Sequence, residues 1–195
     1  MTRARVAAGL SALLLAIVPA ASAKELTQEE QDYLAALQAA LPGPLMNNPL
    51  ESPLTTYGEG FSAKMVRDKT VPGGAAYRVS IKQAHPNAWD VSTVGTLTGG
   101  ISAGEGVSVT FWARAEKTDK SGAGHLTVRL QEATAPYTAV VESQLDISKD
   151  WQLYEVKGVS PLTLAAQDMT LAFNFADRKQ TLDFGEYFIV NLDAE

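Results

Sequence analysis

The chain has 195 residues, no cysteine and a formal net charge of −6, with 46% hydrophobic residues. That is enough apolar material for one domain with a sizeable core. An acidic balance without a basic patch argues against nucleic acid as a partner, and the lack of cysteine excludes a disulfide framework and a cysteine-linked lipid anchor.

In chain order, residues 1–23 read as a secretory signal peptide. MTRAR supplies two arginines, VAAGLSALLLAIV is the apolar stretch, and ASA at 21–23 is a small-x-small cleavage pattern. The apolar stretch is short against the roughly 20 residues a membrane-spanning helix needs. Export to the periplasm or the exterior, with cleavage near Lys24 and no membrane span, is the expectation.

Residues 24–44 predict a helix and a linker. In LTQEEQDYLAALQAAL, Thr27 is the N-cap and Glu30 stands three residues on, the spacing of a capping box. Leu34, Leu37 and Leu41 give one apolar face, and PGP at 42–44 ends the helix. LMNNPLESPLTTYGEG, residues 45–60, reads as loop or one edge strand.

From Phe61 the chain alternates with period two. Strands are predicted over 61–68, 75–83, 88–97, 106–117, 125–133, 137–147, 151–159, 168–176 and 181–192, separated by Gly, Ser and Asp turns. Half-apolar strands of this kind pair antiparallel. The fold class is therefore all-β, an antiparallel β-sandwich over 45–195 with a short N-terminal helix.

Catalytic motifs are absent from the pattern. His85 and His125 are the only histidines, and neither has metal-ligand spacing to another His or to paired carboxylates. No serine sits in Gly-x-Ser-x-Gly. A glycosidase needs two carboxylates facing one cleft; Asp90, Glu132, Glu142, Asp168 and Asp183 are available, with none singled out. The side of the strands opposite the apolar alternants is more informative. It carries Trp112, Arg114, Thr127, Arg129, Gln131 and Asn174. An aromatic ring stacks on the C–H face of a pyranose, while amides and guanidinium take its hydroxyls. The competing reading is a plain solvated face, with Trp112 covered by a loop or by the helix. For Trp89, alternation with Val91 points the ring inward and Asp90 outward. Trp151 reads as an anchor at the sandwich edge.

These stretches resemble carbohydrate-binding modules of the family 4/9 type, which have a galactose-binding-like jelly roll. AAYRVSIKQ, NAWDVSTVG, GGISAGEGVSVTFWARA, HLTVRLQEATAPYTAV, LDISKDWQLYEVKGVS and the closing MTLAFNFADRKQTLDFGEYFIVNL match in order over roughly residues 60–192, with Ala88 where proline is common. The resemblance implies a non-catalytic module that binds soluble glucan or xylan, often with a structural calcium. Gly185 stands where members often carry an aspartate, and Glu51 matches an early glutamate ligand. The expected ligand is a carbohydrate, with Trp112, Arg129, Gln131, Asn174, Arg114 and Trp89 as candidate contacts and the metal site unknown. The alternative is a structural or protein-interaction domain of the cell envelope, with an envelope protein as partner; a glycoside hydrolase ranks third.

Overall fold

Two antiparallel five-stranded sheets face each other in the computed structural model, which describes residues 26–51, 53–120 and 122–194. The signal-peptide reading of residues 1–23 lies outside the described residues. The strands are β1 Thr55–Gly58, β2 Phe61–Arg67, β3 Ala75–Ile81, β4 Val91–Gly95, β5 Gly106–Lys117, β6 Gly124–Glu132, β7 Ala139–Ile147, β8 Gln152–Val159, β9 Met169–Asn174 and β10 Gln180–Asn191. One sheet runs β1-β4-β9-β6-β7 and the other β2-β3-β10-β5-β8. This is the β-sandwich that the alternation predicts. The Pro- and Asn-rich segment supplies the edge strand β1, paired to β4.

Period two sorts the side chains. Leu126, Val128 and Leu130 of β6 are buried together with Leu171 and Phe173 of β9 and with Val107, Val109 and Phe111 of β5. The centre is aromatic: Phe173 lies 4.9 Å, centroid to centroid, from both Phe111 and Phe184, and so joins the two sheets. Burying one such side chain contributes about 1.5–3 kcal/mol.

Alternation fails once inside β10. Its register with β5 shifts between Phe184 and Tyr187, so both of those side chains point inward with Gly185 and Glu186 between them. A β-bulge is the usual device for this. Gly185 is needed there because an added Cβ would meet Trp112 Cβ and Val71 Cγ2, each at 2.9 Å.

The helix α1 spans Gln28–Ala40 with the expected capping box. Glu30 N donates to Thr27 Oγ1 at 3.2 Å, and Thr27 N donates to Glu30 Oε2 at 2.7 Å. No residue of α1 is buried. It lies on the sandwich surface: Tyr33 donates its hydroxyl to Glu186, and burial followed by that carboxylate raises the Tyr33 pKa. Segment 44–47 then runs beside the second half of β10. There Met46 N donates to Ile189 O at 2.7 Å, and the buried Asn47 side chain bonds Ile189 N and Tyr187 O. Among the described residues no helix is long and apolar enough to cross a membrane.

Candidate ligand-binding groove

A sandwich has two outer faces, and the residues that point away from the core divide between them. On the β1-β4-β9-β6-β7 sheet, strand register sets them in rows. One row is Tyr57, Ser92, Asn174 and Thr127; the next is Thr55, Val94, Ala172, Arg129 and Glu142; a third pairs Thr170 with Gln131. Adjacent strands lie about 4.8 Å apart, and successive outward residues of one strand about 6.8 Å apart.

The middle of this face is concave because its side chains are small. Ser92, Val94, Ala172 and Thr170 form the floor of a groove of about 690 Å³, within the size range of ligand sites, roughly 300–1,000 Å³. Larger groups stand around it. Trp89 and Tyr57 are 64% and 60% exposed, and Tyr137 is 48% exposed. All three line the groove. They are three of the four exposed aromatic side chains among the described residues, the fourth being Tyr33.

Pairing of β1 with β4 places Tyr57, and local structure places the other two. Trp89 sits in a 3-10 turn, Ala88–Asp90, immediately before β4. Asn87 N donates to Asp90 Oδ2 at 3.0 Å, which closes the turn. Ala176 N donates to Ala88 O at 2.9 Å and ties it to the end of β9. This corrects the expectation of a strand over 88–97 with Trp89 inward: the turn breaks the alternation, and the indole stands out into solvent. At the other end, the loop after β6 carries Pro136 and Tyr137. Tyr137 adopts φ 58°, in the left-handed region that non-glycine residues seldom occupy. Three contacts hold it there. Arg129 Nη2 donates to Tyr137 O at 3.0 Å, Thr138 N donates to Glu132 Oε2 at 3.0 Å, and Glu132 N donates to Thr138 O at 3.0 Å.

The polar side-chain groups of the groove are the amides of Gln131 and Asn174, the hydroxyls of Ser92, Thr170, Tyr57 and Tyr137, the Trp89 indole N–H and the Arg129 guanidinium. Asn174 is buried at the floor. Gln131 Oε1 is buried without a hydrogen-bond partner among the described residues. Arg129 Nε lies 2.8 Å from Glu142 Oε2, but without the alignment of a hydrogen bond, so that contact is chiefly Coulombic. No carboxylate lines the groove among the described residues, so it lacks the acid pair of a glycosidase. Of the five carboxylates available for that role, four have partners: Asp90 in its turn, Glu132 on Thr138, Glu142 on Arg129 and Asp183 on two arginines; Asp168 lies in the 3-10 turn before β9, outside the groove lining.

Of the six residues singled out in the sequence, four meet here: Arg129, Gln131, Asn174 and Trp89. Trp112 and Arg114 do not. They point away from the core as expected, but from β5, which belongs to the other sheet. Trp112 lies against Gly185. Arg114 is spent on an ion-pair network: its Nε bonds Asp183 at 3.0 Å, its Nη2 lies 2.9 Å from Asp68, and its guanidinium rests over the Trp151 ring, 4.9 Å from the centroid. Trp151 Nε1 in turn donates to Asp68 Oδ2 at 3.2 Å, the anchoring role expected of it.

Asp68 illustrates how tightly that network is tied. The Thr70 hydroxyl, then the Thr70 amide, Trp151 and Arg114 together lower its pKa to about 2, overcoming desolvation. A carboxyl lowered in the folded state adds stability that is complete above its unfolded pKa near 3.8 and is lost as pH falls through about 2. In Thr70→Ala, the Asp68 carboxyl resonance should therefore titrate at higher pH than in the wild type, and acid unfolding should begin earlier. An unchanged Asp68 midpoint would contradict the assignment of Thr70 as the main cause.

The calcium implied by the sequence resemblance finds no ligand set in the residues named for it. Gly185 offers no side-chain oxygen, and Glu51 Oε2 accepts from Asn48 Nδ2 at 2.9 Å. No group of three or more His, Asp or Glu side chains is placed to hold a metal among the described residues.

No protein-family model matches the chain, and no curated protein matches it in sequence. Solved structures do match in fold. A CBM4 structure superposes with a TM-score of 0.53 at 16% identity, over 79% of this chain and 90% of the other. The CBM22-1 xylan-binding domain of Paenibacillus barcinonensis Xyn10C gives 0.55 at 12%, over 78% and 97%. The second N-terminal cellulose-binding domain of Cellulomonas fimi β-1,4-glucanase C gives 0.54 at 18%, over 79% and 94%. The chain has the β-sandwich fold of these carbohydrate-binding modules.

Proposed function

We propose that the protein binds a carbohydrate, without transforming it, in the groove on the β1-β4-β9-β6-β7 sheet. One observation carries this reading: Tyr57, Trp89 and Tyr137, exposed aromatic side chains from three separate segments, surround a small-residue floor set with amides. Exposing a tryptophan to water on a rigid turn forgoes its burial free energy, and a ligand that stacks on it recovers that loss. A pyranose suits the rest of the site. Its C–H face is apolar, and its hydroxyls both donate and accept, as do the amides of Asn174 and Gln131. A buried acceptor left unpaired costs about 1–3 kcal/mol, so a turn of the Gln131 amide that brings Oε1 to a ligand hydroxyl recovers that cost. The fold shared with xylan- and cellulose-binding domains supports the same class of ligand. Export, with cleavage near Lys24, rests on the leader sequence.

The test is binding to a panel of soluble oligosaccharides. Glucan, xylan and uronate-containing chains should include at least one that binds the wild type and Trp112→Ala alike. A folded wild type that binds none of them overturns the reading; binding that survives both Trp89→Ala and Tyr137→Ala overturns the location. Filling the groove makes a separate test. Ala172→Leu puts bulk on its floor, so affinity should fall by at least roughly tenfold with the circular dichroism spectrum unchanged. Retained affinity would show that the ligand lies elsewhere.

A further inference from the structure

The groove differs in charge from the rest of the molecule. The chain carries 22 Asp and Glu residues and a net charge of −6, yet among the described residues the lining of the groove holds no carboxylate and one cation, Arg129. A carboxylate in the lining could accept from the hydroxyls of a neutral polyol but would repel a ligand that is itself anionic. A lining whose charged side chain, among the described residues, is Arg129 suits an anion.

Resting on the carbohydrate-binding reading above, we infer that the groove takes an acidic glycan, a chain that carries uronate carboxylates, with Arg129 as the counter-ion. Arg129 has the donors for this. A guanidinium has five N–H groups in a fixed fork. One is given to Tyr137 O and one faces Glu142 without hydrogen-bond alignment. Among the described residues Nη1 makes no hydrogen bond, so the edge that carries it can meet a carboxylate in the bidentate geometry that makes Arg–carboxylate contacts strong. The acids that stand near are committed. Asp90 closes the Trp89 turn and Glu132 holds Thr138. Glu142 is half exposed on the neighbouring strand, directly across from Arg129 in register. It serves as the internal anion that a ligand carboxylate displaces.

This gives Glu142 a sign that a merely structural role for Arg129 does not. Removing its charge leaves Arg129 without its competing anion, so Glu142→Gln should tighten binding of an acidic glycan. Removing Arg129 should weaken it. The measurement is titration calorimetry with oligogalacturonate, oligomannuronate and glucuronate-branched xylo-oligosaccharide, each beside its carboxyl-reduced counterpart, which keeps the shape and loses the charge. For at least one pair, the acid should bind the wild type about tenfold or more tighter than its reduced form. Arg129→Gln should abolish that ratio and Glu142→Gln should raise it. Equal or weaker binding of every acid relative to its reduced form overturns the inference and leaves carbohydrate binding standing. So does a ratio that Glu142→Gln lowers, since Arg129 would then act only through the loop it holds. If none of the oligosaccharides, acidic or neutral, binds the folded wild type, both readings are overturned.

Discussion

Trp89→Ala should weaken glycan binding by about 30-fold, or about 2 kcal/mol, the loss typical of an aromatic anchor, while leaving the fold intact. The two halves of this prediction have separate causes. The indole is 64% exposed, so its removal opens no cavity; exposed substitutions of this kind change stability by no more than about 0.5 kcal/mol. The turn beneath it is held by backbone and Asn87–Asp90 contacts that the substitution leaves in place. The ring therefore contributes to the ligand and little to the protein. Trp112→Ala should show the reverse. It removes a side chain packed on Gly185 at the opposite face, lowering the melting temperature and leaving affinity unchanged. Loss of affinity in Trp112→Ala but not in Trp89→Ala, measured by titration calorimetry, would move the site to the other sheet.

Asp183→Asn should be the most destabilising of these substitutions, by about 3 kcal/mol, the range for breaking a buried ion pair by removing one partner. Asp183 is fully buried in the middle of β10. It accepts from Arg78 through Nε at 2.7 Å and Nη2 at 2.8 Å, and from Arg114 Nε at 3.0 Å. Glu116 and Asp68 also pair with the two arginines, so the network sets three carboxylates against two guanidinium groups. An asparagine of the same shape withdraws the negative charge and turns an N–H₂ donor toward guanidinium donors. For a chain of this size the melting temperature should fall by about 6–12 °C, with glycan affinity unchanged below the transition because the network lies on the sheet away from the groove. A melt within about 2 °C of the wild type would mean that solvent compensates the arginines.

Those two results bear on how a sequence of this kind can be read. The sandwich was legible because most strands alternate cleanly: β5 and β6 were bounded to within a residue by period two alone. The capping box of α1 was equally plain. Alternation tells inward from outward, however, and a sandwich has two outward faces. Trp112 and Arg129 share the property of pointing away from the core and lie on different sheets; only strand pairing, a non-local matter, separates them. Trp89 was misplaced for a local reason. Asn87 and Asp90 have the spacing of a capped turn, and that signal outranks an alternation only three residues deep. Tyr57 and Tyr137 were passed over because one lies in a Pro- and Asn-rich stretch and the other at the start of an expected strand. Each becomes a groove residue through tertiary placement, Tyr57 by edge pairing with β4 and Tyr137 by the hydrogen bond from Arg129 to its carbonyl.

On the proposed function, a sugar chain binds in the groove ringed by Trp89, Tyr57 and Tyr137. An NMR titration of the labelled protein with the oligosaccharides of the panel tests it most directly, since each tryptophan indole and each side-chain amide reports separately. A binding glycan should shift the Trp89 indole N–H and the Asn174 and Gln131 amides and leave the Trp112 and Trp151 indoles unmoved. Shifts at Trp112 and Trp151 with Trp89 still, or no shift with any glycan, would contradict it.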